Sequence, residues 1–227
     1  MQKYYPSINK NSEFDAVILG DGDYPFAEIP LTVLRNANFL CCCDGAVVKH
    51  VQNGGRFDAI VGDGDSIPEN FKQKYKDILH IETEQETNDQ TKATLFCINK
   101  GFNRIAYIGA TGKREDHTLG NISHLINYLK EYKIDAVMLT DYGYFVAAQG
   151  NSKFGSFKGQ QISFFNIDCS KFESKGTKWE TYAYKYWWQG TLNESLGDEI
   201  EILSDGFFLV FRTYVGKNAE NINKKIL

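Results

Sequence analysis

The chain has 227 residues, enough for one large domain or two modest ones. Its 42% hydrophobic content can fill a core, and a charged fraction of 24% is ordinary for a soluble protein. A net charge of −4 argues against a nucleic-acid binder, which shows a basic face, and no apolar run approaches the length of a membrane span.

The first fifteen residues are polar and lack the apolar core of a signal peptide, so a cytoplasmic location is expected. The first apolar run is Ala16 to Leu19. Gly20-Asp21-Gly22-Asp23 follows it and reads as a strand-to-loop turn lining the crevice, with no partner motif to assign it chemistry. The second run, Phe39 to Cys43, holds three of the five cysteines. Cys41, Cys42, Cys43, Cys97 and Cys169 have neither a disulfide framework nor zinc-site spacing, so the consecutive three are expected to fill a buried strand. Asp44-Gly45 ends that strand. Ala59 to Val61 is the next run, and Gly62-Asp63-Gly64-Asp65-Ser66 comes directly after it. In an extended backbone Asp63 and Asp65 would point the same way, roughly 7 Å apart.

A polar segment from Gln85 leads to Asn88, a good capping residue, and a helix is expected from there with Ala93, Phe96 and Cys97 buried. Asp89 and Lys92 share a face of it, as a surface ion pair or as a metal ligand beside a phosphate-binding cation. After the run Ile105 to Ile108 comes Gly109 to His117, a glycine- and threonine-containing turn into a helix marked by Ile122, Leu125, Ile126 and Leu129. Such a turn presents backbone amides to anions, and Lys113 and Arg114 add positive charge. Asp116 either caps that helix or binds metal. The last run of this half is Ala136 to Leu139. Continuous apolar strands alternating with helices indicate a doubly wound, mainly parallel α/β domain over 1–145.

The remainder, 146–227, changes character. Thr181 to Trp188 is rich in β-formers, and Ser204-Asp205-Gly206 between two apolar runs predicts a hairpin. This half is expected to be a small antiparallel β-sandwich domain, with a polar tail from Asn218 that frays. The acidic clusters gather where parallel sheets bind ligands, at the carboxyl ends of their strands. Carboxylates crowded there call for a hard divalent cation such as Mg²⁺, which brings phosphates with it. The expected chemistry is metal-dependent phosphoryl or pyrophosphoryl transfer.

The order and spacing of four segments resemble the thiamine pyrophosphokinase family. They are Asp44-Gly45, Phe57 to Ile67 with its Gly-Asp-Gly-Asp, Asn88-Asp89-x-x-Lys92, and Gly109 to Ile122. Gly176-Thr177-Lys178-Trp179 resembles a fifth family segment, and Gly190 to Glu194 a sixth more loosely. The chain departs from the pattern at Ala46, Gly64, Asn88 and Leu192. The resemblance implies that Asp44, Asp63, Asp65, Asp89 and Asp116 surround Mg²⁺ and the ATP phosphates, with Asp63, Asp65 and Asp116 as the metal ligands. It implies that Lys92 and Arg114 neutralise phosphate, and that Gln85 and Trp179 lie near the thiamine pyrimidine. Asn88, Thr111, Gly112, His117 and Asn193 are the further substrate or ATP contacts it suggests. It also implies a homodimer with shared sites. The expected reaction gives thiamine diphosphate and AMP from thiamine and ATP. A pterin-like alcohol as acceptor, or a non-catalytic nucleotide or thiamine diphosphate binder, are the alternatives.

Overall fold

The computed structural model describes residues 2–217, so the tail from Asn218 expected to fray lies outside the described residues. After a short strand β1 (Lys3–Tyr5), the chain between Lys10 and Asp141 builds one compact unit. Its elements are β2 (Ala16–Leu19), α1 (Glu28–Arg35), β3 (Leu40–Cys43), α2 (Ala46–Gln52), β4 (Ala59–Gly62), α3 (Glu69–Lys74), β5 (Leu79–Ile81), α4 (Asp89–Asn99), β6 (Arg104–Ile108), α5 (Glu115–Asn127) and β7 (Asp135–Leu139). Every residue of β2, β3 and β4 is buried, as continuous apolar runs covered on both faces require. Cys41, Cys42 and Cys43 are buried free thiols in β3, small hydrophobes as expected.

The strands of this unit follow the order β7-β6-β2-β3-β4-β5, and each adjacent pair is parallel. The chain winds from β2 through β3 and β4 to β5 on one side, then returns to place β6 and β7 on the other. That reversal beside β2 opens a crevice at the carboxyl ends of β2, β3, β4 and β6, where doubly wound folds bind ligands. The expected helix start at Asn88 is present: its Oδ1 accepts the Thr91 N–H at 3.0 Å. Ala93 and Cys97 are fully buried, while Phe96 stays half-buried against His80.

The second unit contains β8 (Gly143–Gln149), β9 (Ser152–Gly155), β10 (Gln160–Asn166), β11 (Phe172–Lys175), β12 (Asn193–Glu194), β13 (Glu199–Ser204) and β14 (Phe207–Gly216). One sheet runs β1-β9-β13-β11, and the other carries β12-β10-β14-β8. The pairing is antiparallel apart from β1, which lies parallel to β9. Each sheet turns an apolar face inward, where Phe154, Phe164, Phe172, Phe208 and Ile202 are at most 2% exposed.

The compact units differ from the expected 1–145 and 146–227 in two respects. The division falls between Asp141 and Tyr142, and the segment ending at Asn9 joins the β unit. Arg212 explains the second. It is fully buried, and its guanidinium donates to the carbonyls of Tyr5, Pro6 and Gly155 while lying over the Tyr144 ring at 4.7 Å.

Two expectations for this unit fail. Asp205-Gly206 does not close a hairpin, because β13 pairs with β9 and β11 whereas β14 pairs with β8 and β10. The turn crosses between sheets, held by Asp205 accepting the Ser170 and Lys171 amides. Nor is Thr181 to Trp188 a strand. Gln189 Oε1 accepts the Lys185 and Tyr186 amides, which removes them from any ladder, and the chain makes a single tight turn at Trp187–Gly190.

Candidate functional site

The loops that leave β2, β3, β4 and β6 meet the first turns of α4 and α5 around a cleft of about 470 Å³. Of the residues expected there, Asp44, Asp63, Gln85, Asn88, Asp89, Lys92, Gly112, Arg114 and His117 line it. Each part of the lining has a local cause.

Asp44 directly follows β3 and is only 4% exposed. Its Oδ1 accepts the Gly64 N–H at 3.0 Å and its Oδ2 the Ser66 N–H at 2.9 Å. Both oxygens are therefore committed to shaping the loop after β4. The loop comes close enough that a Cβ on Gly62 would stand 2.7 Å from the Asp44 Cβ, so only glycine fits. Asp44 itself sits at φ 33°, a conformation held by those two bonds. Asp44 is thus a clamp on the loop, and it also lines the cleft, where each of its oxygens keeps a further lone pair.

That clamp also explains Asp65. β4 stops at Gly62, Gly64 turns to φ +82°, and the Asp65 N–H folds back onto Asp63 Oδ1 at 3.1 Å. The backbone is not extended, so Asp63 and Asp65 do not share a face. Asp63 lines the cleft and Asp65 is exposed outside its lining.

On α4, Asp89 and Lys92 form a pair at 3.8 Å, with the lysine side chain only 4% exposed. The surface-pair alternative is therefore excluded for Lys92. The Asp89 carboxyl holds its proton more tightly than an ordinary aspartate. Burial is the largest cause, the nearby charges of Asp44 and Asp63 add to it, and Lys92 opposes them. Three carboxylates crowd one wall, and the lysine does not fully offset them.

The turn after β6 forms the opposite wall. Gly112 has φ +81°, and a Cβ there would come within 2.1 Å of the Asp23 carboxylate. The Gly22 and Asp23 amides donate to Gly109 and Thr111 carbonyls at 2.7 and 2.8 Å, so the loop after β2 supports this turn. Thr111 uses its carbonyl in that support and does not line the cleft. Lys113 pairs with Asp21 at 3.0 Å, and both line the cleft. Arg114 grips Asp116 in a two-pronged pair of 3.1 and 2.6 Å, which holds that carboxyl down at about 2. Asp116 neither caps α5 nor lines the cleft.

The lining residues given no role from sequence are Asp21, Ser66 and Asn121, whereas Lys113 is where its charge was expected. The signal for the first was available, since Gly20-Asp21-Gly22 follows the strand at which the sheet reverses.

Among the described residues, no three His, Cys, Asp or Glu side chains form a ready metal cage. The cleft nevertheless suits Mg²⁺, which is usually bound by one or two carboxylates together with substrate phosphates. Asp63 and Asp89 are the candidate ligands in the lining, beside Asp44, which holds two amides, and Asp21, which pairs with Lys113; Asp116 lies outside it. The raised proton affinity of Asp89 is the mark of negative charge that a cation would relieve. Lys92, Lys113, Arg114 and His117 supply basic groups around the same space for a polyanion.

Trp179 and Asn193 belong to the β unit, in a separate cleft of about 600 Å³. Asn193 is buried. Its Oδ1 accepts the Trp179 and Glu194 amides, and its Nδ2 donates to the Trp179 carbonyl at 2.9 Å. It holds Trp179 in place and has little left for a ligand. Trp179 is 49% exposed and shares the cleft with Tyr182, Tyr184, Glu180 and Glu194.

A sharp consequence attaches to Asp44. Asn in its place would set an amide N–H against a backbone N–H, so one charge-assisted bond is lost and one donor is left facing another. Asp44→Asn should lower unfolding free energy by about 2 kcal/mol, checked by urea titration of both proteins. A difference under about 0.5 kcal/mol, the scale of ordinary surface changes, would show the clamp to be unimportant.

Comparison with known proteins bears on both units. Residues 31–138 match the family model for the thiamin pyrophosphokinase catalytic domain, and residues 143–211 match that for the thiamin pyrophosphokinase substrate-binding domain. No curated protein sequence matches the chain significantly. Among solved structures, thiamin pyrophosphokinase from Candida albicans superposes with a TM-score of 0.76 at 14% identity, covering 93% of this chain and 92% of that one. The yeast thiamin pyrophosphokinase gives 0.75 at 13% identity, covering 94% and 91%. Thiamine pyrophosphokinase from Bacillus subtilis gives 0.70 at 20% identity, covering 87% and 98%. At these identities the structural likeness speaks for the fold.

Proposed function

The chain belongs to the thiamine pyrophosphokinase family, and from that premise we propose how its own residues convert thiamine and ATP into thiamine diphosphate and AMP. The hydroxyethyl oxygen of thiamine attacks the β-phosphorus of ATP, the bond to the α-phosphoryl oxygen breaks, and AMP leaves. The observation that carries this reading is the cleft of the α/β unit, where Asp63 and Asp89 lie in one lining with Lys92, Lys113 and Arg114. A triphosphate with Mg²⁺ complements that mixture of charges.

Asp63 and Asp89 would hold the Mg²⁺, which supplies neutralisation of phosphate charge when bound. Lys92 is fixed by burial, so its charge needs no reorganisation when the phosphates arrive. Lys113 and Arg114 reach the phosphates from the other wall. A loose transition state asks little of a base, so neither carboxylate is assigned that role. Asp65 and Asp116, the other expected metal ligands, are not used here because both stand outside the lining.

The cleft of the β unit suits the thiamine rings. Aromatic faces from Trp179, Tyr182 and Tyr184 favour a flat heteroaromatic, and the carboxylates of Glu180 and Glu194 favour its cationic thiazolium. The homodimer with shared sites and the cytoplasmic location are part of this proposal. The homodimer rests on the resemblance; separately, no helix among the described residues is long and apolar enough to cross a membrane.

The test is an incubation with thiamine, ATP and Mg²⁺, separating nucleotides and thiamine esters, with Asp63→Asn alongside. AMP and thiamine diphosphate should appear one for one and fall by about 10²-fold or more in the variant, the scale for losing a key electrostatic group. ADP in place of AMP would overturn pyrophosphoryl transfer.

A further inference from the structure

Two side-chain amides in the cleft, Asn88 and Asn121, form a line of hydrogen bonds with only one polarity. The Thr91 N–H donates to Asn88 Oδ1 at 3.0 Å, which turns the Asn88 nitrogen the other way. That Nδ2 donates to Asn121 Oδ1 at 3.0 Å, and Asn121 Nδ2 donates to the Ala110 carbonyl at 2.8 Å. A backbone N–H can only donate and a carbonyl can only accept, so both ends fix the direction. Gln90 Nε2 adds a bond to the Asn121 carbonyl at 3.2 Å. Asn121, on α5, therefore joins the first turn of α4 to the turn after β6.

Those two segments carry different groups. The α4 turn presents Asp89 and Lys92, and the other presents Lys113 and Arg114. Asn121 lines the cleft between them with both side-chain polar atoms already engaged. We propose that Asn121 is a positioning residue for phosphoryl transfer, setting the separation of the two walls through Asn88 and Ala110. This rests on the reaction assigned above. Both walls must hold one phosphate chain in line, and a misplacement of about 1 Å can cost about 10² in rate. Each of the bonds is an ordinary neutral one contributing about 1 kcal/mol, so losing one disturbs placement more than folding.

The test uses Asn121→Ala, Asn88→Ser and the double variant in the full chain. Serine keeps the capping oxygen for Thr91 but has no second arm to reach Asn121. Each single variant should lower kcat by about tenfold or more, with KM for thiamine within about twofold. The double should be no slower than Asn121→Ala, because both changes cut the same line. Hydrogen exchange at the amides of 111–114 should accelerate in Asn88→Ser, although residue 88 lies on a different helix. Unchanged kcat, losses that multiply in the double, or a turn whose exchange ignores Asn88→Ser would each overturn the proposal. The exchange result decides the relay whatever the product is, whereas wild-type protein that forms no thiamine diphosphate would instead sink the assigned reaction.

Discussion

Replacing Lys92 by methionine is expected to lower kcat/KM for ATP by about 10²–10³-fold, the loss typical of removing one preorganised electrostatic group. Methionine keeps the unbranched stem that fills the space, so the change is chiefly one of charge. The lysine side chain is 4% exposed, and its ammonium stands 3.8 Å from Asp89 Oδ1. Without it, Asp89 faces Asp44 and Asp63 with no cation in the helix, and its carboxyl rises further in proton affinity, because Lys92 is the group that opposes the rise. Two consequences add: the phosphates lose a fixed counter-charge, and the Asp89 carboxyl meant for the metal holds its proton more readily. Raising the pH should therefore recover part of the activity of Lys92→Met but none of the missing phosphate contact. Lys92→Arg should not rescue, since a planar guanidinium does not fit a space filled by an ammonium. Initial rates of AMP release at saturating thiamine and varied ATP check this, with a loss under tenfold placing Lys92 outside the phosphate path.

The α/β unit was largely legible because its signals are local. Runs such as Ala16 to Leu19 and Ala59 to Val61 are apolar throughout, and a fully covered strand needs no partner to declare itself. Asn88 announced its helix for the same reason, since a cap bonds to an amide three residues on. The misreadings came where the deciding partner is remote. Asp205-Gly206 has hairpin chemistry, yet which sheet each flanking strand joins is set by β9 and β8, far earlier in the chain. The N-terminal segment entered the β unit through Arg212, a residue no local pattern links to Tyr5. At the site, the acidic clusters showed where the cleft lies but not what each carboxylate does. Asp44 and Asp63 look alike in sequence. Both line the cleft, and only the fold reveals that Asp44 also accepts the Gly64 and Ser66 amides and so shapes the loop that carries Asp63. Asp116 likewise reads as a metal ligand, yet it lies outside the cleft lining, exposed and paired with Arg114.

Asp89→Asn should separate activity from stability in opposite directions. Activity should fall by about 10²-fold or more, because one of two carboxylates free to hold Mg²⁺ is gone. Stability at neutral pH should be equal to wild type or higher. The folded-state proton affinity of Asp89 is raised by burial and by Asp44 and Asp63, even after the opposing pull of Lys92 is counted. A carboxyl with a raised folded pKa binds more protons folded than unfolded, so stability declines as pH climbs from the ordinary aspartate range through the raised value. Above that window the cost of the ionised group is fully present; below it, the cost vanishes. Asparagine mimics the neutral form and escapes the cost. The thermal midpoint of Asp89→Asn should therefore match or exceed that of wild type at pH 7, and any advantage should shrink as pH approaches 4. Added Mg²⁺ and ATP should raise the wild-type midpoint more than the variant's, since the bound cation relieves the crowding that the substitution has already removed. A variant less stable than wild type at pH 7 would mean that Asp89 acts mainly as the counter-ion of Lys92. The crowded wall would then no longer argue for a cation between Asp63 and Asp89.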